Sequence, residues 1–347
     1  MSSEVPLGRE HLYMNVELAK HPVAAAQEAD ASDAARRYAH YIIRGPLFGI
    51  AAQDAGDGHR WRVLTPVACG FPQDARDRLN SALWLRAEDD TEDRAVRREL
   101  LAAVARLETE PVDEVTAAGT RYRVVRCEEI AYGNGDGPEP PRPTDPEPAV
   151  RDWEPGTRGP DVDAGFVIDH IAAASVMETS KRLALMGLHY RSPRYPAQVR
   201  ADSPRALRTH AGISLLPTAY RVLERTAAGW QTASEVLSSP HAARRALVHI
   251  LTRLRPAVYE LPAARRAGYE RAAAEFRAAG DSNAVRLDAG RELLIVRMRR
   301  LVRIGPDGPE SARPSDEEVD GEGPTRIHPA MAEDGTITQA RSPRWAD

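Results

Sequence analysis

"GDGPEPPRPTDP" (residues 135–146) and "PDGPESARPSDE" (residues 306–317) are two proline-rich tracts that stand behind similar apolar runs. The first follows "RYRVVRCEEIAYG" (121–133) and the second follows "ELLIVRMRRLVRIG" (292–305), both rich in β-branched residues. Such runs read as strands. Aligned on D-G-P-E, Asp136–Glu139 fall on Asp307–Glu310, an offset of 171 positions. The same offset lays Arg142-Pro143-Thr144-Asp145 on Arg313-Pro314-Ser315-Asp316, Val124-Val125-Arg126 on Ile295-Val296-Arg297, and Gly119 on Gly290. Nearly the same offset pairs Trp61 with Trp230, and "FPQDARDRL" from Phe71 with "SPHAARRAL" from Ser239. Because order and spacing persist over most of each half, the chain reads as an internal duplication.

Each half carries the same elements. "IIRGPLFGIAAQD" and "RWRVLTPVA" flank "AGDG", an Asp-Gly hairpin signal. "ISLLPTAYRVLER" and "WQTASEVL" flank "TAAG", with Pro217 expected at an edge or bulge. A helix follows in both, with Pro72 and Pro240 in its first turn and Ser239 as an N-cap. Ala75, Leu79, Ala82 and Leu83 make one apolar stripe, and Ala243, Leu247, Ile250, Leu251 and Leu254 the other. A second helix carries Val96, Leu100, Val104 and Leu107 in one half and Ala272, Ala273 and Phe276 in the other. The fold class is therefore α+β, two pseudo-repeats of a β-β-α-α-β unit. The boundaries are an N-terminal extension (1–30), a first unit with its arm (31–148), a connector with a helix through Val176, Leu183 and Met186 (149–200), a second unit with its arm (201–319) and a disordered tail (320–347).

Composition bounds the function. The 347 residues carry a formal net charge of −4, so no general attraction to nucleic acid is expected. Nucleic-acid binding would need the arginines of "RVVR" and "RRLVR" gathered on one exposed face. No apolar run is long enough to span a bilayer and no export signal is visible, so a cytoplasmic, membrane-free location is expected. Of 47 basic residues, only Lys20 and Lys181 are lysine. An arginine-, alanine- and proline-rich composition of this kind points to a GC-rich genome.

Catalytic motifs are missing. Gly133, Gly135 and Gly137 are followed by prolines rather than by the helix N-terminus that a phosphate cradle requires. Cys69 and Cys127 lack the partners of a zinc site, and Cys127 falls opposite Met298, which marks a buried apolar position. The histidines form no metal-binding pair, and Asp169 and His170 should point to opposite faces of a strand. No catalytic residue, cofactor or metal is assigned. The candidate ligand or interface residues are Trp61 and Trp230, as core anchors that could also stack a ligand, and Arg142, Asp145, Arg313 and Asp316. The last four are expected to form local ion pairs that pin each tract along its own unit as a polyproline II arm, with a recognition tail for a partner's groove as the alternative.

"RGPLFGIAAQ", "WRVLTPV", "ARDRLNSALWL", "GTRYRVVRCEEI" and "DGPEPPRPTDP" resemble an actinobacterial, streptomycete-type family labelled a domain of unknown function. "THAGISLLPTAYRVLER" and "RIGPDGPESARPSD" resemble its second half, and the likeness runs from about residue 30 to 320. The resemblance implies no activity, cofactor or site residues. The expectation is a non-catalytic binding or regulatory protein whose partner is another protein or a small molecule held between the halves. The alternative is an enzyme with its site at their interface. Free strand edges leave a homodimer open.

Overall fold

A computed structural model of the chain describes residues 14–148, 152–153, 161–287, 290–317, 321 and 323–338. Strand β1 (Val16–Glu17) and helix α1 (Pro22–Arg37) precede the hairpin β2 (His40–Asp54) and β3 (Trp61–Cys69). Helices α2 (Pro72–Asp89) and α3 (Arg94–Leu107) lead to β4 (Glu114–Ala117) and the long β5 (Thr120–Gly133). The connector holds β6 (Val167–Ile168), β7 (Ala174–Ser175), α4 (Val176–Met186) and α5 (Ala197–Thr209). The second half runs β8 (Gly212–Leu215), β9 (Ala219–Thr226), β10 (Gly229–Thr232), α6 (Pro240–His249), a π-turn, α7 (Arg255–Val258), α8 (Ala263–Ala279), β11 (Ala284–Arg286) and β12 (Glu292–Gly305). Short pairings β13 (Gly308–Pro309), β14 (Ala330–Met331) and β15 (Ile337–Thr338) close the described chain.

The two runs that precede the proline tracts, β5 and β12, lie side by side at the centre of one antiparallel sheet of order β10-β9-β12-β5-β2-β3-β6. Their register sets Cys127 opposite Val302, Glu129 opposite Arg300, and Ala131 opposite Met298. The sheet curls. Its inner face buries Val125, Cys127, Val296, Met298 and Val302 with Leu47, Val63 and Leu223 from the flanking strands. Its outer face packs α2 and α3 over Ile50, Ala52 and Tyr122 at one end. At the other end α6 and α8 cover Tyr220, Val222, Leu293 and Ile295. Between these helix pairs α4 covers Ile130 and Leu301 with Leu185.

Several local expectations hold. Ser239 accepts the Ala242 N–H at 3.1 Å and caps α6, with Pro240 opening the helix; Pro72 does the same for α2. Other elements differ from the reading. Pro217 does not bulge a single strand but divides it into β8 and β9, since it cannot donate to the ladder. Helices α1 and α5 were not read from the sequence; alanine dominates α1, and α5 carries Pro204 inside it. Of the tail expected to be disordered, residues 323–338 lie against α2 and α3: the Trp84 indole N–H donates to the Pro329 carbonyl at 3.1 Å and stacks on His328. Residues 339–347 lie outside the described ones.

Candidate anion-binding cleft

Each proline tract turns back at a glycine in the positive-φ region, Gly137 or Gly308. Glu139 donates its N–H to the Tyr132 carbonyl at 2.8 Å and accepts the Arg297 N–H at 2.9 Å. Glu310 likewise donates to the Arg303 carbonyl at 2.8 Å and accepts the Arg126 N–H at 2.8 Å. Each tract is thus stitched both to its own strand and to the strand of the other half. Side chains repeat the exchange: Arg297 Nε donates to Asp145 at 3.1 Å, and Arg126 Nε to Asp316 at 2.6 Å.

The local ion pairs Arg142–Asp145 and Arg313–Asp316 do not form between side chains. Each aspartate accepts the backbone N–H of its arginine, at 2.9 Å and 2.8 Å, while its carboxylate faces the crossing strand. The arginines instead pair with glutamates three residues earlier, Arg142 with Glu139 at 2.6 Å and Arg313 with Glu310 at 2.7 Å.

Around Arg126 and Arg313 the charges are closed. Glu128 accepts Arg126 Nη1 at 2.6 Å, Arg313 Nη1 at 3.3 Å and the Tyr190 hydroxyl at 2.6 Å. Burial alone would raise the Glu128 carboxyl, but Arg126 and Arg313 outweigh it and hold the group below the usual range.

Around Arg142 and Arg297 the corresponding strand position is Arg299, so the central carboxylate is replaced by a third guanidinium. Thr218 Oγ1 accepts Arg297 Nη2 at 3.0 Å and Arg299 Nη1 at 2.7 Å, and Glu178 accepts the far end of Arg299. Arg142 Nη2, Arg297 Nη1 and Arg299 Nε are buried and, among the described residues, without a hydrogen-bond acceptor. Buried donors of this kind cost free energy unless something accepts from them.

These arginines line a cleft of about 630 Å³ whose walls come from both halves, from α4 and from the chain leading into α1. Lys181 of α4 enters the same wall. Burial, and after it the charges of Arg299, Arg142 and Arg297, drive its ammonium from the usual range down to about 7, against the opposing pull of Glu139. Glu28 also reaches the cleft, with its carboxylate accepting the Met177 N–H at 3.0 Å.

The tryptophans lie elsewhere. Trp61 is 1% exposed in the inner core, beneath the guanidinia of Arg123 and Arg121, whose carbons lie 4.7 and 5.1 Å from its ring centre. Trp230 is half-buried under Arg225. Trp61 also borders a second cavity of about 470 Å³, where Asp169 bonds His59 at 2.9 Å and His170 lies edge-on to His59. Its Arg121 is held by Glu114 and Asp307. Cys127 is fully buried in the inner core, and burial pushes its thiol up to about 12. The arginines of "RVVR" and "RRLVR" (Arg123, Arg126, Arg299, Arg300 and Arg303) are turned inward, none more than 8% exposed.

The fold and cleft thus define an α+β protein with two linked halves and a cationic site between them. Residues 21–319 match the model of a family of unknown function, DUF5954, and the chain belongs to that family. No match was found among curated proteins or among solved structures. Of the candidate residues, Arg142 and Asp145 reach the cleft, Arg313 and Asp316 form its closed counterpart, and neither tryptophan lies in its wall. Sequence reasoning missed Arg297, Arg299 and Lys181 as site residues. The rarity of lysine was the one available signal for Lys181.

Proposed function

We propose that this protein binds a small anionic metabolite, best matched by a carboxylate, in the cleft between its halves. One contrast carries the reading. Arg126 Nη1 and Arg313 Nη1 share the carboxylate of Glu128, whereas Arg297 Nη1 and Arg142 Nη2 are buried without an acceptor, in residues that line an open cleft. A ligand carboxylate among Arg142, Arg297 and Arg299 would supply what Glu128 supplies on the other side. Guanidinium groups suit this task because they hold planar anions through paired, charge-assisted bonds.

The reading gains from treating the chain as an internal duplication. The register supports that view: the β5–β12 pairing of Cys127 with Val302 and Ala131 with Met298 is unchanged when the offset of 171 swaps the two strands. A duplicated unit with one altered position, glutamate to arginine, converts a structural cluster into a binding one. Nucleic acid is disfavoured as the anion, because the arginines are buried rather than displayed.

The test is to purify tagged protein under mild conditions, release bound small molecules by denaturation and identify them by mass spectrometry. A reproducible carboxylate or phosphate compound, absent from Arg299→Gln prepared in parallel, supports the proposal. Equal recovery from both proteins would contradict it.

A further inference from the structure

We infer that Lys181 is a nucleophilic amine that forms an imine with the carbonyl of a 2-oxo acid seated by the cleft arginines. The inference rests on the anion-binding reading above and adds a reaction to it.

The first observation is one of residue choice. Arginine fills 45 of the 47 basic positions, and the two exceptions, Lys20 and Lys181, both line this cleft. This chain meets almost every need for a fixed positive charge with arginine. A guanidinium cannot lose its proton in a protein and makes no imine, whereas an ammonium can do both. Lys20 is exposed and paired with Glu17 at 3.6 Å, an ordinary surface charge. Lys181 has no ion-pair partner among the described residues.

The second observation is placement. Lys181 lines both this cleft and a smaller cavity of about 140 Å³, and its Nζ lies 5.3 Å from the centre of the Tyr132 ring. Arg142 and Glu139 face it from the proline tract, Arg297 and Arg299 from β12, Tyr132 from β5, and Glu28 from α1. Three guanidinia beside an amine disfavour its protonated form, the arrangement that activates lysine nucleophiles. The same guanidinia would hold a carboxylate, and in a 2-oxo acid the electrophilic carbon is the next atom along.

The chemistry balances without a further reagent. The neutral amine adds to the carbonyl carbon, forming the C–N bond as the C–O π bond opens. The carbinolamine then loses its oxygen as water, which takes both amine hydrogens, and leaves the imine.

The experiment uses the full chain with pyruvate or 2-oxoglutarate and sodium borohydride, followed by peptide mapping. The expected result is an adduct on the Lys181 peptide with the mass of the probe less one oxygen. It should form faster as pH rises through about 7. Lys181→Arg should give none; lactate, a carboxylate without the carbonyl, reads anion binding by the wild-type chain alone. Mapping the wild-type adduct needs no variant, so a misfolded Lys181→Arg would not rescue the idea. Labelling of Lys20 in place of Lys181 would overturn it. So would a wild-type protein that binds lactate but yields no adduct, an outcome that leaves the anion-binding reading intact. Failure to bind any of these carboxylates would remove both.

Discussion

Glu128 lies 2.6 Å from Arg126 at a point where neither side chain is more than 4% exposed, and Arg313 reaches the same carboxylate from the opposite proline tract. The contact joins two tracts of sequence 185 residues apart, which makes it a clasp between the halves. Removing its negative charge leaves two buried guanidinia opposed only by Asp316 and Glu310. Glu128→Gln should therefore destabilise the protein by about 3–5 kcal/mol, the range for breaking a buried ion pair. Urea denaturation checks this, and a loss under about 1 kcal/mol, as for an exposed pair, would contradict the clasp.

Gly308 sits where a side chain would strike Trp61: an added Cβ would lie 2.5 Å from the indole nitrogen, at a backbone φ of +118°. At Gly137 the corresponding Cβ would meet Trp230 at 3.5 Å. Both substitutions to alanine incur backbone strain of about 1–3 kcal/mol, but only Gly308→Ala adds a collision. Gly308→Ala should lower the melting temperature more than Gly137→Ala, as calorimetry can measure.

Lys181 gives stability a distinctive pH dependence. Its folded pKa, about 7, lies below the 10.5 of an ordinary lysine, so between these values the unfolded chain binds more protons than the folded one. Stability from this group therefore rises with pH through that window, and the full cost of burying the ammonium is felt below about 7. Replacing Lys181 with methionine should flatten the rise, which denaturation at a series of pH values would show. An unchanged profile would contradict the assigned environment.

Much of the framework was legible in the sequence because it depends on local rules. Apolar periodicity located α2, α3 and α6, and the Asp-Gly and Ala-Gly turns located the β2–β3 and β9–β10 hairpins. The proline tracts were visible, but their course was not. Arg126 and Arg297 each lie seven residues after a turn glycine, Gly119 and Gly290, and nothing local states that their partners are Asp316 and Asp145. Long-range charge pairing is fixed by the strand register, which brings β5 beside β12. The same register brings Arg297 and Arg299 of β12 beside Arg142, for which the sequence suggested only a local pair with Asp145. The N-terminal helix was obscured because alanine dominates it and only Ala34 is buried.

The central claim is that the cleft takes an anion through Arg299 and its neighbours. Isothermal titration of the wild-type chain and of Arg299→Gln with small carboxylates and inorganic phosphate tests it most directly. The expected result is saturable binding by the wild type that falls roughly tenfold or more in the variant, the loss of one charge-assisted hydrogen bond. Affinity for a carboxylate lacking a carbonyl should also weaken as pH rises through about 7, because Lys181 then loses its charge. No saturable heat with any of these anions, or the same affinity in both proteins, would contradict the account.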